Sequence, residues 1–321
     1  MITPANIFAA LLTLIPLVAA GFFPQIVGGS ARRLPWWAQI LCPAALSAPY
    51  VLVTCSAGQF RWGWFALYAL LPAAVAMLLG QAMRADGEQP PQRQGPVPQP
   101  QRARITRWGL RVAGDPGGQH GSWRDFLVLA VLGLAVDLRW FEGAWPAHLA
   151  IFNKMLVLDA GIYGFIALRQ LEGAGFDLRL KLRDAGIGLR ELAWYTPVAL
   201  VLGLGLGFLH LHRGWPGWRS MAWAWIFTFL FIAVPEELFF RGWMQNLLER
   251  RIGRTPALLV TAALFGLSHF NKRTAFFNWR YVLLGAVAGI FYGRAWRQER
   301  RVGASAVTHA SVDAIWSLWL R

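Results

Sequence analysis

About ten long blocks of apolar, mostly uncharged residues constrain the fold of this chain more than any other feature. A membrane-spanning helix needs about 20 such residues, and the first three blocks, Ile7 to Val27, Trp37 to Cys55 and Gly63 to Met83, are close to that length. Of the 321 residues, 56% are hydrophobic and only 15% are charged, whereas about a quarter are charged in a soluble domain. The sequence therefore predicts an all-α fold, a polytopic transmembrane helical bundle of about eight to ten spans in a lipid bilayer.

The remaining apolar blocks follow a segment from Arg84 to Arg124 that is rich in Pro, Gln and Arg and cannot bury a core. They are Phe126 to Leu138, Pro146 to Leu168, Leu192 to Leu211, Met221 to Trp243, Pro256 to His269, Tyr281 to Trp296 and Ala304 to Leu320. We therefore expect three parts: an N-terminal three-helix membrane group at 1–83, a linker at 84–124, and a membrane helical domain at 125–321.

The charge distribution predicts an orientation. Thirty-one Lys and Arg against 16 Asp and Glu give a net charge of +15, but most basic residues lie beside apolar blocks, where they set topology and do not indicate nucleic acid as a partner. We expect the 84–124 linker in the cytoplasm, the N-terminus outside and the chain in a bacterial inner membrane. Lys272, Arg273 and Arg280 fall on the opposite side, so either a nearby helix is re-entrant or the span count is off by one.

Two adjacent acidic residues, Glu236 and Glu237, follow 16 uncharged residues in one apolar block. Charges inside a membrane segment are costly and are functional candidates. Glu237 and Arg241 have i, i+4 spacing and can pair on one helical face, while Glu236 points about 100° away. Pro235 lacks an amide N–H and should open the helix where the carboxylates begin. The alternative is a helix that simply reaches the membrane interface at Glu236.

Two histidines lie in later apolar blocks. His269 ends one block, and His309 shares a helical face with Asp313 in another. Taken singly, each is more often a packing residue. One glutamate and two histidines from three separate blocks, however, supply a base for water and donors for an oxyanion, as amide hydrolysis requires.

Three ordered motifs carry a resemblance to a known family. They are EExxxR at Glu236 to Arg241, FxxxH at Phe265 to His269 and Hxxx(N/D) at His309 to Asp313. In this order and within apolar blocks, they resemble the CPBP family of intramembrane proteases, which groups type II CAAX prenyl proteases with bacteriocin-processing (Abi) proteins. The resemblance covers a core at about residues 190–321.

The resemblance implies an endopeptidase that cleaves a membrane-associated protein or peptide, lipid-modified or not, in CAAX-type or leader-peptide processing. It also implies a role for each motif residue. These roles are activation of water by Glu236 and His269, support of the site by Glu237 and Arg241, and stabilisation of the oxyanion by His309 and Asp313.

Two points of chemistry stay open on the sequence. Glu236, His269 and His309 could be three zinc ligands with water as the fourth, but a Glu–His pair needs no metal, so we predict no cofactor and keep zinc as the alternative. The family often has Asn where this chain has Asp313, and an ionised Asp repels an oxyanion. We expect Asp313 to hold His309 as an imidazolium that donates, the alternative being a protonated Asp313.

A second class of function rests on other charged residues. Lys154 and Asp159 lie inside one apolar block, with His148 before them and Asp137 in the preceding block. Such residues can form a proton or ion path. The alternative function is therefore a transporter-like or non-catalytic membrane protein on the same scaffold.

Overall fold

The computed structural model describes residues 3–87, 121–146, 149, 151–212, 214–272, 274 and 276–320. These residues form eleven helices and no strand, which confirms the all-α helical bundle. In chain order the helices are α1 (Pro4–Phe22), α2 (Pro24–Arg33), α3 (Trp36–Ser56), α4 (Trp62–Gly87), α5 (Trp123–Asp137), α6 (Ile151–Leu168), α7 (Leu182–Gly205), α8 (Trp218–Ile252), α9 (Arg254–Leu267), α10 (Trp279–Glu299) and α11 (Val302–Trp319).

Within the described ranges, six helices are long and apolar enough to cross a membrane: α1, α3, α4, α6, α7 and α8. Helix α9 is apolar but has only 14 residues, a length of about 21 Å against a hydrocarbon core of about 30 Å. The count of eight to ten spans stays a prediction, and it requires helices that are shorter or more polar than these six.

The predicted apolar blocks differ from the observed helices at several boundaries. The block Ile7 to Val27 divides into two helices, because α1 ends at Phe22 and Pro24 begins α2, a position that suits a residue without an amide N–H. The block Leu192 to Leu211 starts too late, because α7 begins at Leu182. Its polar first turns hide the helix from a search for apolar residues.

The largest apolar cluster of the described residues runs through both the early and the late helices. It contains Tyr68 of α4, Phe165 of α6, Trp243 of α8 and Val302 of α11, all nearly or fully buried. The three-helix group predicted at 1–83 thus packs against the later helices through shared core residues. Most of the predicted 84–124 linker, together with its expected cytoplasmic location, lies outside the described residues.

A buried ion pair joins the start of α5 to the end of α6. Arg169 donates from Nε to Asp125 Oδ1 at 2.9 Å and from Nη2 to Oδ2 at 3.2 Å, and the two side chains are 1% and 0% exposed. Asp125 also closes the N-terminal capping box of α5 with Ser122. One carboxylate therefore caps α5 and neutralises the cation that follows α6.

The start of α11 is held by Arg301. Its Nε lies 2.8 Å from Asp184 Oδ1 in the first turn of α7, and its Nη1 lies 3.0 Å from Asp177 Oδ2 in the preceding loop. Gly175 packs against this junction with a φ of +69°, and a Cβ there would lie 1.8 Å from the Arg300 carbonyl oxygen. Only glycine fits at position 175. This close contact and the ion pairs of Arg301 together fix where α11 begins relative to α7.

The Asp125–Arg169 pair should contribute strongly to stability. We expect Arg169→Met to lower the free energy of unfolding by about 3–5 kcal/mol, because it leaves a buried carboxylate without its partner. Thermal unfolding of the detergent-solubilised protein measures the loss. The control is Arg139→Met, which breaks an exposed pair with Glu142 and should cost at most about 1 kcal/mol. Equal losses in the two variants would contradict this role for Arg169.

Candidate active site

Helix α8 carries both acidic residues and is widened on either side of them. Its hydrogen bonding is π-helical at Phe229–Ala233 and at Leu238–Gln245, with an α-helical turn, Val234–Glu237, between them. Pro235 lies in that turn and cannot donate to the turn before it. The structure thus agrees with the expectation that Pro235 opens the helix at the carboxylates, and π-helical segments of this kind are frequent at functional sites.

Helices α8 and α9 bring Glu236 and His269 to a similar depth. The chain reverses at Gly253, and the Phe240 ring of α8 lies 5.1 Å from the Phe265 ring of α9. Glu236 is 16 residues before the end of α8, and His269 is 15 residues after the start of α9, so nearly equal lengths of chain separate the two residues from the turn. The predicted apolar blocks place them at different depths. The continuation of α8 past its predicted end removes that mismatch.

Glu237 is fully buried at the centre of a polar cluster. Its Oε2 lies 3.2 Å from Arg241 Nε and accepts a hydrogen bond from the Ser305 hydroxyl. Its Oε1 lies 2.9 Å from His309 Nδ1. The i, i+4 pair expected from the sequence is present, and the contacts with Ser305 and His309 on α11 add to it.

Arg241 is also fully buried. Its Nη2 donates to the Gly289 carbonyl oxygen of α10 at 3.1 Å, and the guanidinium carbon lies 4.7 Å from the centre of the Phe265 ring and 5.6 Å from that of Tyr292. Its Nη1 forms no hydrogen bond with a described residue. The cation therefore depends on Glu237 for the charge that neutralises it.

Glu236 has a different environment from its neighbour. Its side chain is 21% exposed and lines a cavity of about 360 Å³ between α5, α6, α8 and the turn after α9. Asp137, Lys154 and Lys272 line the same cavity. The structure thus places two of the residues considered for an ion path beside Glu236. Asp159 is fully buried and outside the cavity lining, and His148 lies outside the described residues.

Three carboxylates surround the imidazole of His309. Nδ1 contacts Glu237, while Nε2 lies 3.6 Å from Asp313 Oδ2 and 3.9 Å from Glu236 Oε2. The ring stacks on Tyr292, with centroids 4.6 Å apart and planes 16° apart. The sequence predicts Asp313 as the partner of His309, and the structure adds a shorter contact with Glu237.

His269 has a defined tautomer. Its Nδ1 lies 2.9 Å from the Phe265 carbonyl oxygen, and because a carbonyl oxygen only accepts, Nδ1 carries a hydrogen. In the neutral ring, Nε2 then keeps the lone pair. The ring packs on Tyr281 with centroids 4.6 Å apart. His269, His309 and Asp313 line a second cavity of about 90 Å³ whose other walls, from α7, α10 and α11, are mainly apolar.

The structure gathers all six candidate residues in one region. Direct contacts of 3.9 Å or less connect Glu236, Glu237, Arg241, His309 and Asp313. His269 joins them through the Phe265 ring, which lies 5.1 Å from His269 and 5.5 Å from His309. The sequence analysis does not name Ser305. The available signal is its position one helical turn before His309, which places the two residues on the same face of the helix. No sequence signal identifies Tyr292.

The zinc alternative lacks a matching donor set. Among the described residues, no group of three or more His, Cys, Asp or Glu side chains is arranged to hold a metal ion. Glu236, His269 and His309 therefore do not converge as three ligands of one ion in this arrangement.

The later part of the chain, which contains this site, matches a known family model. Residues 217–315 match the family model described as type II CAAX prenyl endopeptidase Rce1-like. This part of the chain is an Rce1-like domain, consistent with the CPBP family. The comparisons found no matching curated protein and no matching solved structure.

The Rce1-like domain covers about a third of the chain and contains all three motifs. Helices α1 to α7 lie outside it. Together, the family of membrane proteases and the six candidate spans make this an integral, multi-pass membrane protein. The same findings support a bilayer and a protein substrate as its partners.

The two adjacent acids should differ in their effect on stability. Glu237→Gln leaves Arg241 buried without a counter-charge, so we expect the free energy of unfolding to fall by about 3–5 kcal/mol. Glu236→Gln is the matched control, because this side chain faces a cavity, and its effect should stay within about 1 kcal/mol. Thermal unfolding in detergent compares them. A larger loss for Glu236→Gln than for Glu237→Gln would reverse the assignment.

Proposed function

We propose that the chain is an intramembrane endopeptidase of a bacterial inner membrane that hydrolyses a peptide bond of a membrane-associated protein or peptide. The unequal environments of two adjacent acids carry this proposal. Glu237 is closed off by Arg241, Ser305 and His309, whereas Glu236 faces a cavity. Neighbouring carboxylates in contrasting environments are typical of sites where one acid supports and the other reacts.

Glu236 and His269 activate the attacking water in the proposed reaction. The Glu236 carboxylate faces the larger cavity, through which we expect water to arrive. His269 lines the smaller cavity, and Nε2 of its neutral ring is the second acceptor. A base within hydrogen-bond reach of the water is what amide hydrolysis needs. The same pair returns the proton to the departing amine, so the products are a carboxylate and a free amine.

His309 stabilises the oxyanion in the proposed reaction. Carboxylates at 2.9, 3.6 and 3.9 Å favour its imidazolium form. Glu237 holds Nδ1, so Nε2 is the donor that faces Glu236 and Asp313. A donor held in place before the reaction lowers the energy of the developing negative charge without further reorganisation.

The Rce1-like match favours a CAAX-type segment as the substrate, with a leader peptide as the second candidate. The match also supports a protease over a transporter on the same scaffold. Lys154 and Asp137 lie on the wall of the Glu236 cavity. Their position is explained by a role around Glu236, without a separate path for ions.

Glu236→Gln should abolish cleavage while the protein stays folded. We expect the rate to fall by about 10²–10⁴-fold, because the general base is lost. The assay uses a peptide that ends in S-farnesyl-Cys-Val-Ile-Met with the purified protein in vesicles. Membrane proteomes of cells that carry either form show which substrate remains uncut. The control is Glu142→Gln, an exposed acid that should cleave normally. Parental activity in Glu236→Gln would refute the role of Glu236.

Asp313→Asn should change the pH dependence of cleavage. It removes one of the three carboxylates that stabilise the His309 imidazolium, so the charged form is lost at lower pH and the alkaline limb of kcat should move down by about one unit. Glu237 is closer and keeps the shift partial. If Asp313 is instead a neutral donor to the oxyanion, Asn replaces it and the profile stays unchanged. A kcat profile across neutral and alkaline pH distinguishes the two.

A further inference from the structure

Two ammonium groups line the Glu236 cavity without a bonded partner. They belong to Lys154 of α6 and Lys272 of the turn after α9. Neither side chain forms an ion pair or hydrogen bond within the described part of the chain. Arg139 also lines this cavity, but it is about half exposed and pairs with Glu142 at 3.5 Å. The carboxylates of Glu236 and Asp137 line the same cavity and oppose these charges. No direct contact holds either ammonium group, however, so both can contact a ligand that enters the cavity.

The position of Lys272 connects these cations to the proposed catalytic groups. Its backbone N–H donates to the His269 carbonyl oxygen at 3.2 Å. Lys272 therefore belongs to the same turn as His269, which is proposed to act with Glu236 on the attacking water. Asn271 donates from Nδ2 to the Asp137 carbonyl oxygen at 2.7 Å and ties this turn to the end of α5. An anion bound by Lys272 therefore lies in the cavity that Glu236 shares.

The dimensions and lining of the cavity limit the ligand. Its volume of about 360 Å³ lies at the lower end of the range for small-ligand pockets, about 300–1,000 Å³, and suits a few residues of extended chain. Apolar side chains such as Val136, Ile232 and Phe239 form much of the wall. The ligand that fits is short, mainly apolar and anionic at one end.

We propose that Lys154 and Lys272 bind the α-carboxylate at the C-terminus of the substrate. The carboxylate is the one anionic group that every peptide end carries, and lysines form charge-assisted hydrogen bonds with it. Held there, the substrate presents a peptide bond a few residues from its end to Glu236. The inference rests on the proposed function and deepens it, because it makes cleavage depend on a free C-terminus.

The test compares one peptide as a free acid and as a C-terminal amide. The peptide ends in S-farnesyl-Cys-Val-Ile-Met, and the protein is held in phosphatidylcholine vesicles. We expect the parental protein to favour the acid by about tenfold or more in KM, the size of a charged hydrogen bond. Lys272→Gln and Lys154→Gln should each bring the ratio of the two KM values close to one.

Two further variants control for charge and folding. Lys272→Arg keeps a cation and should keep the preference for the acid, which a merely structural loss would not restore. Lys181→Gln removes an exposed lysine before α7 and should leave the ratio unchanged. If Lys181→Gln lowers the ratio as much as Lys272→Gln, general charge explains the effect and the proposal is wrong.

Binding separates this inference from the proposed function. Fluorescence polarisation measures the affinity of labelled acid and amide peptides for the Glu236→Gln variant, which needs no cleavage. Tighter binding of the acid that Lys272→Gln removes supports the carboxylate site even if no peptide is cut. Equal binding of the two peptides, or none, overturns it even if the parental protein cleaves both.

A lipid headgroup is the other source of a similar anion. Replacing part of the phosphatidylcholine by phosphatidylglycerol tests it. If the lysine variants alter only the response to phosphatidylglycerol, and do so equally for acid and amide peptides, these lysines bind lipid phosphate and the carboxylate proposal is wrong. If the acid preference persists in both kinds of vesicle, the proposal stands.

Discussion

The buried carboxylate of Glu237 determines how the helices around the site fit together. It contacts Arg241 on its own helix and Ser305 and His309 on α11, and Arg241 in turn donates to Gly289 on α10. A buried charge without a partner costs several kcal/mol, so these groups are stable inside the bundle only together. The register of α8 against α10 and α11 follows from this requirement.

The same constraint separates the roles of the two adjacent acids. With Glu237 committed to the cluster, the preceding residue, Glu236, projects in another direction and reaches the cavity between α5, α6 and α8. His309 stands between the two environments, because Nδ1 contacts the buried acid and Nε2 faces Glu236 and Asp313. In the proposed reaction, the interaction that holds the bundle together also orients the donor for the oxyanion.

The sequence predicts those parts of this site that depend on local spacing. The Glu237–Arg241 pair and the proximity of His309 to Asp313 follow from i, i+4 positions on single helices, and both are present. The contact between Glu237 and His309 joins residues 72 positions apart, so it depends on the relative depth and rotation of two helices. A local pattern contains neither quantity. The early start of α7 escapes prediction for a related reason, since its polar first turn is stabilised by Arg301 from a distant segment.

Parts of the chain outside the Rce1-like domain complete the surroundings of the site. The domain, at 217–315, contains the six candidate residues, but α5 and α6 provide the opposite wall of the Glu236 cavity, including Asp137 and Lys154. The buried Asp125–Arg169 pair holds these two helices together. The reacting groups and the opposite wall of the cavity therefore lie on different segments of the chain. In the proposed protease, substitutions in α5 and α6 can change which substrate end is accepted without altering the groups that cleave it.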